Sequence, residues 1–140
     1  MKLVSFVRNK FCEVFMDMCI DAQATIGDGL CINHIGGVHI NPQTVIGKNC
    51  DIAHRVTIWT SDMGRLGAPM IGDNVYVGTD TTILGEIRIG SGAKIAANTL
   101  VMSNVPEGAT VMGVPGRIIM RPPKAVQPPA AVARELANAE

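Results

Sequence analysis

Isoleucine or valine recurs every six residues along most of this chain, and very few folds accept that spacing. Ile20, Ile26 and Ile32 form a first series, and Ile40, Ile46, Ile52 and Ile58 a second. Ile71, Val77, Ile83, Ile89, Ile95 and Val101 form a third, giving thirteen hexads. A two-residue slip after Ile32 and a longer insertion after Ile58 separate the series. The residue following a head is often small, as at Gly27, Gly47, Gly72, Gly78, Gly90 and Ala96. Four residues after a head stands another small or aliphatic side chain: Ala24, Thr44, Cys50, Val56, Val75, Thr81, Ala93 or Thr99.

A helix needs apolar residues three and four apart, and an ordinary strand alternates at two throughout. Period six instead suits a short strand that turns a corner, sending one large and one small side chain inward per side. Three sides make a coil of about eighteen residues, and stacked coils bury a continuous aliphatic column. Each fully buried head contributes about 1.5–3 kcal/mol, so all thirteen are expected inside. Composition agrees: 47% of residues are hydrophobic but only 4% aromatic, as an interior without room for rings requires. The expected class is therefore all-β, a parallel β-helix of hexapeptide repeats.

The 140 residues are enough for one domain. Twelve basic residues balance twelve acidic ones, so no global field recruits nucleic acid or an acidic membrane. Residues 1–19 carry Leu3, Phe6, Val7, Phe11, Val14, Phe15 and Met18, spaced mainly by three and four. That spacing predicts an amphipathic helix packed on the first coil or on a neighbouring chain. Arg8, Lys10, Glu13 and Asp17 interrupt it, so neither a signal peptide nor a membrane span is expected. Residues 20–121 form the β-helix, with a loop at 59–70. Residues 122–140 open with PPKAVQPPA, which cannot continue the coil because proline lacks the donor, and form a Pro-rich tail. Cys12, Cys19, Cys31 and Cys50 lack the C-x-x-C spacing of metal sites and read as reduced thiols of a cytoplasmic protein.

Taking the heads in rotation around three sides puts Ile32, Ile52, Val77 and Ile95 on one side of successive coils. Two residues beyond them lie His34, His54, Thr79 and Ala97. These should line one corner at about 4.8 Å per coil. Imidazoles stand at one end and small side chains at the other, which suits a long thin ligand presenting its reactive tip to a histidine. The slip holding Gly36 and Gly37 follows His34 directly, a bulge that could aim the ring outward. Insertions in a regular repeat decorate a binding face, and the one after Ile58 begins at Trp59, the single tryptophan. Trp59 reads as a loop anchor, a contact between chains or a ligand platform.

At NHIGGVHINPQTVIGKN, VTIW, IGDNVYVGTDTTILG, IGSGAKIAANTLV and MGVPGRII, the chain resembles the serine acetyltransferases and the relatives that O-acetylate surface-polysaccharide sugars. The resemblance spans about residues 17–121. It implies a left-handed coil, acetyl-CoA as acyl donor, no metal, and a homotrimer with sites between chains. It makes His34, within Asn33-His34-Ile35-Gly36-Gly37, the general base. It places coenzyme A along Thr79 and Ala97, closed by Gly113-Val114-Pro115 with Arg117 beside it. Asn33, Gly36 and Gly37 fall on the acceptor side, and His54 is a second candidate catalytic group or a solvated corner residue.

The chain departs from the serine enzymes at three places. Their R-H-P step reads Gly67-Ala68-Pro69 here, Cys19 stands where an aspartate would orient the histidine, and Pro42 replaces a glutamate. Loss of the arginine removes a bidentate carboxylate partner, so a sugar or other small hydroxyl is expected ahead of serine. Asp17 or Asp21 would have to orient His34 instead. His39 precedes an inward Ile40 and should face outward. His34 and His39 share the H-x-x-x-x-H spacing of the zinc carbonic anhydrases that also use this fold, but no histidine precedes His34 to complete the three ligands a catalytic metal needs. A non-catalytic β-helix that only assembles partners is the remaining alternative.

Overall fold

A computed structural model describes residues 17–34, 36–61 and 67–120. Residues 1–16 of the helix expected over 1–19, and the tail over 122–140, lie outside these residues. Met18 and Cys19, which the helical spacing also took in, belong to the first strand, because Met18–Ile20 pairs in parallel with Val38–Ile40.

Among the described residues, fifteen short strands form three faces. The first face stacks β1 (Met18–Ile20), β4 (Val38–Ile40), β7 (Thr57–Trp59), β10 (Thr82–Leu84) and β13 (Leu100–Val101). The second stacks β2 (Thr25–Ile26), β5 (Val45–Ile46), β8 (Met70–Ile71) and β11 (Arg88–Ile89). The third stacks β3 (Cys31–Ile32), β6 (Asp51–Ile52), β9 (Tyr76–Val77), β12 (Lys94–Ile95), β14 (Thr110–Met112) and β15 (Arg117–Ile119). Every pairing between named strands except the last is parallel, and the chain visits the faces in rotation from β1 to β13. The coil is left-handed, as the resemblance implied.

All thirteen heads fall on the faces assigned by rotation, each opposite the head one coil away. From Ile40 to Val101 they are at most 4% exposed, and Thr44, Cys50, Val56, Val75, Thr81, Ala93 and Thr99 fill the corners between them. Ile20, Ile26 and Ile32 are only half-buried, which corrects the expectation of thirteen buried heads. They belong to the first coil and, among the described residues, have a stacked neighbour on one side only.

Turns fall three residues after a head. Asn49, Asn74, Asp80 and Asn98 occupy the left-handed region there with φ between 53° and 57°. Asparagine and aspartate tolerate that region better than other side chains. Arg55 adopts it too, at φ 54°, and its setting is described below.

The repeat also runs one coil further than the hexads showed. Val105, four residues after Val101, bridges to Ile89, and Val111 pairs with Ile95. Beyond them β15 turns back antiparallel on β14, with Arg117 opposite Met112. The shortened step at Val105 hides this last coil from a search at period six. Among the described residues no helix is long and apolar enough to cross a membrane.

Candidate functional site

The third face fixes the corner column. Ile32 pairs with Ile52, Ile52 with Val77, Val77 with Ile95, and Ile95 with Val111. Two residues on, His34, His54, Thr79 and Ala97 follow one another up the corner, as rotation of the hexads predicts. Gly113 extends the row by one coil. The hexads had assigned it no coil, because its head, Val111, follows the shortened step.

The two imidazoles touch. Their ring centroids are 5.4 Å apart and their planes meet at 84°, an edge-to-face pair. His34 is exposed and His54 half-buried. Above them, Thr79 Oγ1 lies 2.9 Å from His54 Nε2 and 3.1 Å from the His54 carbonyl oxygen. His54 Nδ1 is buried and has no hydrogen-bond partner among the described residues.

A second brace runs alongside. The Arg55 guanidinium donates from Nε to Asp80 Oδ1 at 2.6 Å and from its terminal nitrogen to Asp80 Oδ2 at 2.7 Å. This forked pair holds the Asp80 carboxyl below its ordinary value, chiefly through the hydrogen bonds from Arg55. The Arg55 backbone N–H donates to the Gly36 carbonyl at 2.9 Å. Gly37, at φ +64°, sits so close that an added Cβ would lie 2.8 Å from Arg55 Cγ and 3.0 Å from its Cα. The slip that follows His34 thus rests on Arg55, and Arg55 is tied to the coil beyond.

The upper end of the corner is low and smooth. Ala97 is exposed, and a Cβ on the buried Gly78 would come 2.6 Å from the Ala97 nitrogen, so glycine there lets two coils meet. Gly113, Pro115 and Arg117 are exposed in the closing turn and the strand after it. Trp59 lies on the first face opposite Leu84, at the mouth of the insertion, and is 36% exposed. The Asn33 amide donates to Asp51 Oδ1 at 2.7 Å and its Oδ1 accepts from the Cys31 thiol at 3.2 Å.

The aspartates expected to orient His34 have other partners. An Asp17 oxygen stands 3.9 Å from His39 Nε2, and Asp21 accepts from the Gln23 backbone N–H at 2.9 Å. His39 faces outward with a 42% exposed side chain, as expected. Ala68 and Pro69 are buried, so the step that departs from R-H-P offers no side-chain donor. Among the described residues no group of three His, Cys, Asp or Glu is placed to hold a metal ion. A shallow groove lined by Val45, Met70, Ile71, Arg88, Ile89 and Glu107 lies on the second face, away from the histidines.

The family described as bacterial transferase hexapeptide (six repeats) matches residues 68–102. A serine acetyltransferase of Buchnera aphidicola is 34% identical over 122 residues, covering 86% of this chain and 46% of the relative. The crystal structure of Neisseria gonorrhoeae serine acetyltransferase in complex with serine superposes with a TM-score of 0.74 at 42% identity, over 83% of this chain and 47% of that one. A serine acetyltransferase in complex with CoA gives a TM-score of 0.76 at 35% identity, over 84% and 48%. The chain spans about half the length of the relatives it matches. Over that half it is a hexapeptide-repeat coil similar in sequence and fold to the serine acetyltransferases, which bears out the resemblance.

Proposed function

We propose that this chain transfers an acetyl group from acetyl-CoA to the hydroxyl of a small acceptor, with His34 as general base. The observation that carries the reading is the corner itself: an exposed imidazole at one end of a row that becomes small and smooth at Thr79, Ala97 and Gly113. A coenzyme lying along that edge delivers its thioester to the histidine end. Relatives solved with CoA and with serine support both substrates.

His34 takes the proton from the acceptor hydroxyl as its oxygen attacks the thioester carbonyl. The tetrahedral intermediate then expels the coenzyme thiolate, which recovers the proton from the imidazolium. The products are an acetyl ester and free coenzyme thiol, with His34 neutral again. A positioned base is worth typically 10²–10⁴-fold, and holding both substrates in one cleft adds to it. Backbone N–H groups near Gly36 and Gly37 are the donors assigned to the oxyanion. Gly113, Pro115 and Arg117 are assigned to the far end of the coenzyme, Trp59 to its flank, and a neighbouring copy in a trimer to the other wall of the cleft.

The relatives make serine the first acceptor to test, ahead of the sugar hydroxyl expected from sequence. A sugar stays as the second reading on one observation: buried Ala68 and Pro69 leave no guanidinium at the step where an amino-acid carboxylate would be held. Thiol release from acetyl-CoA, measured against serine, sugars and nucleotide sugars, separates the two. Turnover that vanishes in a folded His34→Ala variant supports the proposal. No thiol release with any acceptor, or full activity without His34, overturns it. Retention of coenzyme A without turnover would leave a binding coil in its place.

A further inference from the structure

We propose that His54 is a positioning residue, which holds the His34 ring by edge-to-face contact and is itself locked by Thr79. The inference deepens the proposed function and rests on His34 being the base. It begins with one proton. The Thr79 hydroxyl has a single hydrogen and lies near His54 Nε2 at 2.9 Å, the His54 carbonyl oxygen at 3.1 Å and Asp80 Oδ2 at 3.5 Å. If that hydrogen went to Nε2, the neutral ring would carry its own proton on Nδ1, which is buried without a partner among the described residues. That arrangement makes one hydrogen bond and strands a buried donor, whereas the other makes two. The favoured one has Nε2–H donating to Thr79 Oγ1 and Thr79 donating to the carbonyl, with only a lone pair at Nδ1.

So arranged, His54 is held at three places. Its Nε2–H is bound by Thr79, its carbonyl accepts from Thr79 and from the Asp80 backbone N–H at 3.2 Å, and its ring abuts His34. The charged groups beside it, Arg55 and Asp80, neutralise each other in a forked pair. A ring fixed in this way sets the plane of the exposed ring stacked on it. Edge-to-face pairs with centroids 4.5–7 Å apart carry a preference beyond simple burial, and the 5.4 Å pair lies within that range. His54 does not need to exchange a proton with substrate, and its ring nitrogens are engaged or enclosed.

Two measurements on the full chain test this. In ring-nitrogen NMR of histidine-labelled protein, where the chain supplies only three histidines, His54 should show the Nε2–H tautomer, and Thr79→Val should mix the two forms. The His34 ring signals should move in His54→Ala and stay near their wild-type positions in His54→Phe. In the acetyl-transfer assay, His54→Ala should lower kcat roughly 2- to 12-fold with little change in KM, the loss of one aromatic pair. His54→Phe should recover to within about 2-fold, since it keeps the ring contact without nitrogens. An Nδ1–H tautomer in the wild type, unmoved His34 signals in His54→Ala, or a Phe variant as slow as the Ala variant would overturn the inference. The spectra do not depend on turnover, so a wild type that releases no thiol would defeat the proposed function and leave the His54 result readable.

Discussion

Ile52 stands at 0% exposure on the third face, between Ile32 and Val77 and two residues before His54. Ile52→Ala removes three carbons from the aliphatic column. At about 0.8 kcal/mol per buried carbon the transfer loss alone is roughly 2.4 kcal/mol. The cavity adds to it, because stacked backbones on both sides prevent collapse, and the expected total lies near 3–5 kcal/mol. Ile32→Ala makes the same chemical change one coil earlier, where the head is only half-buried and, among the described residues, is stacked on one side alone. Its loss should be about half as large, ~1.5–2.5 kcal/mol. Equilibrium urea unfolding followed by far-ultraviolet circular dichroism compares the two at equal protein concentration. The two losses being equal, or Ile52→Ala falling within about 1 kcal/mol of wild type, would refute the claim that packing depends on stacked neighbours.

Three other outcomes follow from particular contacts. Gly78→Ala should destabilise strongly and lower activity, since its Cβ would meet the Ala97 backbone nitrogen at 2.6 Å and push apart two coils of the corner; thermal melting and thiol release check both. Asp80 has a lowered folded-state pKa, so its contribution exists above the ordinary carboxylate value of 3.8 and fades as pH falls through the lower folded value. The gap in unfolding midpoint between wild type and Asp80→Asn should therefore be open at pH 6 and close in strong acid, and a gap that widens on acidification would contradict the sign. Burial pushes the Cys50 thiol up from its ordinary value, whereas Cys31 is exposed, so timed alkylation of native protein with mass mapping should label Cys31 well before Cys50.

The period-six pattern was enough to place every head on its face and to stack His34, His54, Thr79 and Ala97. In a coil, residues one turn apart are bound to be neighbours, and inward positions must be aliphatic to be buried. That rule is local and repeats, so a single sequence displays it. The left hand of the coil was not in the spacing and came from family likeness. The last coil was hidden as well, because the step to Val105 is short and β15 closes it by reversing direction, neither of which repeats anything.

Only the tertiary structure decided how the corner is held. Nothing in the spacing says that Arg55 reaches Asp80, that the slip at Gly36 and Gly37 rests on Arg55, or that Asp17 turns to His39 and away from the place expected of it. Those contacts join side chains from different coils through rotamers and turn geometry, which a repeat leaves free. The half-buried first coil is likewise a tertiary feature, since among the described residues its heads have a stacked neighbour on one side only. Periodicity determined which residues are neighbours along the axis, and the folded corner determined which of those neighbours bond to one another.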